Sequence, residues 1–242
     1  MKQPTSLPTL EVCLSPALLH LHDTAGKIVV IIDVFRATST IAAALHQGAK
    51  AVLPVASVDE CIALGASTPD SITAGEREGK VAPGLAYGNS PAEYPKEFVA
   101  GKTLVLTTTN GTRLLHMVQG AAGIITGAFL NISAVCDYLT AQGQSVILAC
   151  AAWKDRFNME DALFAGAVAA RLQGSMTLAD DAARMAVALH AQSGGHYEAF
   201  LRPCAHWKRL ASYGQEPDLI YCSTPDLHPV VPVLREGVLV VA

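Results

Sequence analysis

Residues 28–32 read Ile-Val-Val-Ile-Ile, an unbroken apolar run of β-branched residues. Such a run lacks the in-and-out alternation of a strand with one wet face. It therefore predicts a strand buried on both faces, as in a parallel sheet. The run ends in Asp33, is followed by Arg36, Thr38, Ser39 and Thr40, and passes into Ile41-Ala42-Ala43-Ala44-Leu45, a helical composition. A strand feeding a helix through a polar turn sets backbone N–H groups and the helix dipole beside the strand's carboxyl end. Open α/β sheets bind their ligands there, and anions suit a helix start. Asp33 could hold a divalent cation, with Arg36, Ser39 and Thr40 on phosphate oxygens. Equally, Asp33 and Arg36 could pair with each other while Thr38 or Ser39 caps the helix.

The same alternation continues along the chain. Strands are predicted at residues 9–14, 51–55, 71–74, 103–107, 122–126 and 145–150. Helices are predicted at 15–22, from Ser57 through the capping box with Glu60, and at 114–118, 131–142, 159–172, 178–192 and 203–213. Residues 218–222, 230–233 and 237–241 read as short closing strands. Residues 75–95, rich in Gly and Pro, read as a loop whose polar side chains favour function. Alternating strands and helices predict a three-layer α/β/α fold, and the late strand cluster makes the mostly parallel sheet a mixed one. No repeat or linker divides the chain, so residues 1–242 are read as a single domain.

Composition narrows the function. The hydrophobic content of 51% and charged fraction of 16% suit a sheet covered on both faces. A net charge of −4 without a basic run disfavours nucleic acid as a partner. No stretch approaches the roughly 20 apolar residues needed to cross a bilayer. Residues 1–8 have one lysine and no apolar core, which predicts no signal peptide. The six cysteines form no CxxC pair, and reduced thiols in a cytoplasmic protein are expected. His20 and His22 stand two apart and read as surface histidines.

Several predicted strands end in polar turns: Asp33 to Thr40, Gly75 to Gly79, Thr107 to Arg113, and Cys150 to Asp161. If those ends lie together, they gather Asp33, Glu76, Glu160 and Asp161 with Arg36, Arg77, Arg113 and Lys154. Clustered carboxylates repel one another, and Mg²⁺ relieves this by binding one or two of them together with water and phosphate oxygens. The arginines then suit the remaining anionic groups as bidentate donors. Such a set is what a phosphomonoester hydrolase needs. The run Thr107-Thr108-Thr109-Asn110-Gly111-Thr112-Arg113 can form an anion-binding nest at Asn110-Gly111, or an ordinary threonine-capped turn. Glu160 and Asp161 open a helix of buried character, either complementing its dipole or holding metal. Cys150 reads as a buried strand-end thiol. Neither a P-loop nor a GxGxxG stretch is present, which disfavours ATP and NAD.

Taken together, Asp33-Val34-Phe35-Arg36-Ala37-Thr38-Ser39-Thr40, Gly75-Glu76-Arg77, Gly88-Asn89-Ser90-Pro91-Ala92-Glu93, the threonine-rich turn and Glu160-Asp161-Ala162 resemble, in order, the 2-phosphosulfolactate phosphatase family of coenzyme M biosynthesis. The resemblance covers residues 28 to 170 and is looser beyond. It implies a three-layer α/β/α fold and Mg²⁺-dependent release of phosphate from 2-phosphosulfolactate, a small anionic substrate. Leu85-Ala86 stands where the family has Phe-Asp, and Ala152-Trp153-Lys154 where it is Gly-rich, which bears on metal binding and substrate choice.

On this reading Asp33, Glu76, Glu160 and Asp161 are the metal ligands, and Asp33, Arg36, Glu76 and Arg113 carry catalysis. Ser39, Thr40, Arg77, Asn89, Ser90, Thr108, Thr109, Asn110, Gly111 and Thr112 bind substrate. Either a metal-bound water or Asp33 itself attacks phosphorus. A phosphatase for another phosphorylated hydroxy acid and a non-catalytic phosphometabolite-binding protein are the alternatives. Homo-oligomerisation is compatible with the sequence.

Overall fold

In a computed structural model describing residues 7–108, 111–118 and 120–242, the apolar run at 28–32 is a strand with every residue buried. Burial of each such side chain stabilises the fold by about 1.5–3 kcal/mol. Among the described residues the strands are β1 (Thr9–Cys13), β2 (Ile28–Ile32), β3 (Ala51–Val55), β4 (Ser71–Arg77), β5 (Lys80–Val81), β6 (Thr103–Thr107), β7 (Gly123–Gly127), β8 (Val146–Cys150), β9 (Thr177–Leu178), β10 (Pro232–Arg235) and β11 (Val238–Val241). The helices are α1 (Ala37–His46), α2 (Val58–Ser67), α3 (Lys96–Val99), α4 (Gly111–Met117), α5 (Ile132–Gln142), α6 (Met159–Leu172), α7 (Asp181–Ser193), α8 (Tyr197–Leu201), α9 (Ala205–Ala211) and α10 (Glu216–Cys222).

The strands form one mixed, mostly parallel sheet in the order β5-β4-β6-β3-β11-β10-β7-β2-β8-β1-β9. β4, β6 and β3 are mutually parallel, as are β7, β2, β8, β1 and β9. The β10–β11 hairpin joins these blocks by pairing antiparallel to β7 and to β3. Along the pairing pattern the two blocks therefore run in opposite senses. Asp33, just after β2, and Glu76, in β4, nonetheless line one cleft.

Alternate residues of β2 feed separate cores. Ile28, Val30 and Ile32 pack with Val135 of α5, Phe164 of α6 and Trp207 of α9. Val29 and Ile31 pack on the other face with Ile41 of α1 and Leu114 of α4. Helices thus cover both faces, as the continuous apolar run requires. Gly166 permits the α6–α7 contact, because a Cβ there would stand 1.9 Å from the carbonyl oxygen of Ala186.

Four local expectations are corrected. Residues 218–222, expected as a strand, lie in α10, where Leu219 and Cys222 are buried at helical spacing and Pro217 and Asp218 occupy the first turn. The expected turn at 75–79 is mostly strand, since β4 runs to Arg77 and reverses through Glu78 (φ 56°) and Gly79 (φ 83°) into β5. Thr38, Ser39 and Thr40 are already inside α1 rather than in the turn before it. Residues 177–178 pair with β1, and α7 starts only after Asp180, whose side chain accepts the N–H of Ala183.

Candidate active site

β2 delivers Asp33 to the floor of a cleft lined also by Glu76, Asn89, Trp153, His206 and Arg209. The Asp33 N–H donates to Thr38 Oγ1 at 3.2 Å, fixing the carboxylate's backbone at the mouth of α1. β4 brings in Glu76, whose Oε2 accepts the N–H of Gly79 at 2.8 Å. α6 begins just after the loop that follows β8, and its first turn supplies Glu160 and Asp161, both buried.

These carboxylates crowd one another. Burial, with the charges of Glu76 and Glu160, pushes Asp33 up to about 7, against a smaller opposing pull from His206. Burial and the charges of Glu160 and Asp33 also raise Asp161 well above the usual range. Asp161 engages both oxygens with backbone, accepting from Val34 N at 2.9 Å and from Ala152 N at 3.2 Å. It latches the end of β2 to the loop after β8. Glu160 is placed differently: Oε1 lies 2.5 Å from His206 Nδ1, while Oε2 is buried without a hydrogen-bond partner among the described residues.

Most of the expected cations are already engaged. Arg36 is buried, and donates to Asp218 at 2.5 Å and to Gly79 O at 3.1 Å. Gln215 also donates to Gly79 O, so α10 and its approach hold the β4–β5 turn against Arg36. Arg77 donates to Glu76 O at 2.7 Å and to Thr107 Oγ1 at 3.0 Å. Arg113, on α4, is exposed, pairs with Asp155 at 3.0 Å, and is not among the residues lining the cleft. Lys154 is exposed and faces Glu78 at 3.5 Å.

The hydroxyls make internal ties. Ser39 donates to Val34 O at 2.8 Å, Thr40 to Asn89 O at 2.9 Å, and Ser90 to Asp218 Oδ1 at 2.8 Å. Asn89 does line the cleft, and its Oδ1 is buried without a partner among the described residues. Thr108 is buried beside a separate small cavity shared with Thr38 and Thr126. Gly111 opens α4; Thr109, Asn110 and the side chain of Thr112 lie outside the described residues.

His206 and Arg209 are cleft residues that the sequence reading did not single out. Their three-residue spacing on a helix predicted at 203–213 puts them on one face and was the available signal.

Asp33, Glu76 and Glu160 are hard oxygen donors whose charges act on one another, and Glu160 Oε2 is buried without a hydrogen-bond partner among the described residues. That chemistry fits a divalent cation of the Mg²⁺ type. The His and carboxylate cluster whose ligand atoms converge most tightly among the described residues, Glu11, His22 and Asp180, lies elsewhere. There Lys27 already bonds Glu11, and Asp180 caps α7.

A protein-family model described as 2-phosphosulpholactate phosphatase matches residues 13–237. A Thermotoga petrophila protein named "probable 2-phosphosulfolactate phosphatase" is 42% identical over 211 residues, spanning 87% of this chain and 90% of its own. Proteins with the same name from Caldanaerobacter subterraneus subsp. tengcongensis and Synechocystis sp. are 36% and 37% identical, each covering about nine-tenths of both chains.

Proposed function

We propose that this chain, which belongs to the 2-phosphosulfolactate phosphatase family, hydrolyses 2-phosphosulfolactate to sulfolactate and phosphate with Mg²⁺. The observation that carries the reading is the cleft lined by Asp33, Glu76 and His206, with Glu160 against His206 Nδ1 and one Glu160 oxygen without a hydrogen-bond partner among the described residues. Asp33, Glu76 and Glu160 would hold the cation. When bound, Mg²⁺ supplies Lewis-acid charge to the phosphoryl oxygens.

The chain's own residues handle the proton. Glu160 Oε1 holds His206 at Nδ1, so Nε2 is the nitrogen that faces proton transfer. A water oxygen forms the new bond to phosphorus while the ester P–O bond breaks; one of the water's protons stays on the released phosphate and the other replaces the proton that His206 gives up. The departing hydroxy-acid oxygen keeps the electron pair and takes a proton from His206 Nε2. Asp161 keeps the two strand-end segments in register, and Arg36 keeps the β4–β5 turn, and with it Glu76, in place.

Sulfolactate as product supports a role in coenzyme M-type synthesis, and the six free thiols support a reducing, cytoplasmic setting. The mostly apolar pocket adjoining the cleft, lined by Phe157, Met159 and Cys204, favours a bulkier phosphorylated hydroxy acid as the second reading.

The test is phosphate release from 2-phosphosulfolactate with Mg²⁺ and with EDTA, beside phospholactate and phenyl phosphate. Metal-dependent release from the sulfonate substrate is expected. Release only from the others would replace the substrate. Saturable binding without any release would leave a binding protein.

A further inference from the structure

We propose that Arg209, stacked on Trp153, is the specificity residue that binds the substrate's second anionic group, the sulfonate or carboxylate remote from the phosphate. The inference rests on the phosphatase reading above, and adds to it a residue outside the motifs that carried the resemblance.

Three observations converge on Arg209. Its guanidinium carbon lies 4.4 Å from the Trp153 ring centroid, a cation–π contact that uses none of its N–H donors in a hydrogen bond. Among the described residues it has no carboxylate within ion-pair distance and no side-chain hydrogen bond. Arg36, Arg77, Arg113 and Lys154 all have such a partner. It also lines both the carboxylate cleft and the adjoining apolar pocket, at their boundary.

Trp153 is a fixed platform. Its N–H donates to Arg156 O and its carbonyl accepts from Arg156 N, each at 2.9 Å, closing a tight turn through Lys154 and Asp155. Both turn residues have positive φ, 51° and 59°. The contact with that ring restricts the Arg209 side chain before a ligand arrives, which lowers the ordering cost of binding.

The spacing assigns the group that it meets. Arg209 stands three residues beyond His206 on α9, so their side chains share a face about 5–6 Å apart. With the phosphate ester beside His206, a group a few bonds further along the hydroxy acid falls at the guanidinium. A planar fork of N–H donors matches carboxylate or sulfonate oxygens.

The test measures steady-state kinetics of the wild type, Arg209→Ala, Arg209→Lys and Trp153→Ala on 2-phosphosulfolactate and on phenyl phosphate, which lacks a second anion. Calorimetric binding of sulfolactate, which needs no turnover, accompanies it. For Arg209→Ala, KM on 2-phosphosulfolactate should rise at least tenfold more than KM on phenyl phosphate, and sulfolactate affinity should fall at least tenfold. Arg209→Lys and Trp153→Ala should fall between.

Equal losses on both substrates, or none, would overturn the assignment. A wild type that binds sulfolactate through Arg209 but releases no phosphate would sink the phosphatase reading and leave this one standing. A wild type that does not bind sulfolactate, yet releases phosphate from either substrate at a KM insensitive to Arg209→Ala, would do the reverse. Failure of the wild type in every arm would reject both.

Discussion

Asp161 Oδ1 accepts the backbone N–H of Val34 at 2.9 Å, across 127 positions of sequence. The other oxygen takes the N–H of Ala152, a residue held at φ 58°. One carboxylate thus ties the end of β2 to the loop after β8, while its neighbour Glu160 faces His206. Two adjacent acids at one helix start have separate tasks, because consecutive helix positions point about 100° apart.

Replacing Asp161 with Ala should orphan two buried amides. Each unsatisfied donor costs about 1–3 kcal/mol, so a loss of about 2–6 kcal/mol of unfolding free energy is expected from urea titration. Asp161→Asn, which retains one acceptor, should lose less. A urea midpoint unchanged in Asp161→Ala would remove the latch.

The pH dependence of the cation-free protein follows from Asp33. Its folded pKa, about 7, lies above the ordinary 3.8, so between those values the folded state binds more protons than the unfolded one. Stability in EDTA should therefore fall as pH rises from about 4 to 7, by roughly 1–4 kcal/mol. Asp161, raised in the same direction, adds to the slope. Asp33→Asn should flatten the Asp33 part, and added Mg²⁺ should oppose the decline in the wild type. A parallel decline in Asp33→Asn would point to other groups.

His206→Asn should lower kcat by about 10²–10⁴-fold, the usual range for loss of a positioned proton carrier. Glu160→Gln keeps the ring but changes what Nδ1 faces, and should lower kcat by less. Normal turnover in His206→Asn would exclude His206 from proton transfer.

Arg36 and Asp218 form a largely buried ion pair at 2.5 Å. Removing either partner alone should cost about 3–5 kcal/mol, since a buried charge is left uncompensated. The double change Arg36→Met/Asp218→Leu should cost less than the sum of Arg36→Met and Asp218→Leu, measured as a double-mutant cycle in urea. Strict additivity would mean that the two act independently.

The periodicity of the chain made the strands and the long helices legible, since burial on two faces leaves a continuous apolar run at 28–32 and again at 146–150. Residues 218–222 were not legible in this way. A short apolar run suits strand or helix equally, and packing of Leu219 and Cys222 against the sheet decided for the helix. Asp33 follows β2 and Glu160 opens α6 as their sequence neighbours suggest, whereas Glu76 lies within β4 itself. The paired state of Arg36 was not legible, since its partner Asp218 comes from a distant helix.

The order of motifs along the chain alone therefore determined the fold class and the family, and pointed to Asp33 and Glu76, which the fold brings to one cleft, because local pattern and strand-end chemistry are properties of contiguous residues. Tertiary structure decided which charges remain available. It committed Arg36 to Asp218, Arg77 to Thr107 and Asp161 to backbone amides, and it brought His206 and Arg209 from α9 to Asp33. Pairing depends on distance in space, and a group becomes free for a ligand only when the fold has placed no partner within reach.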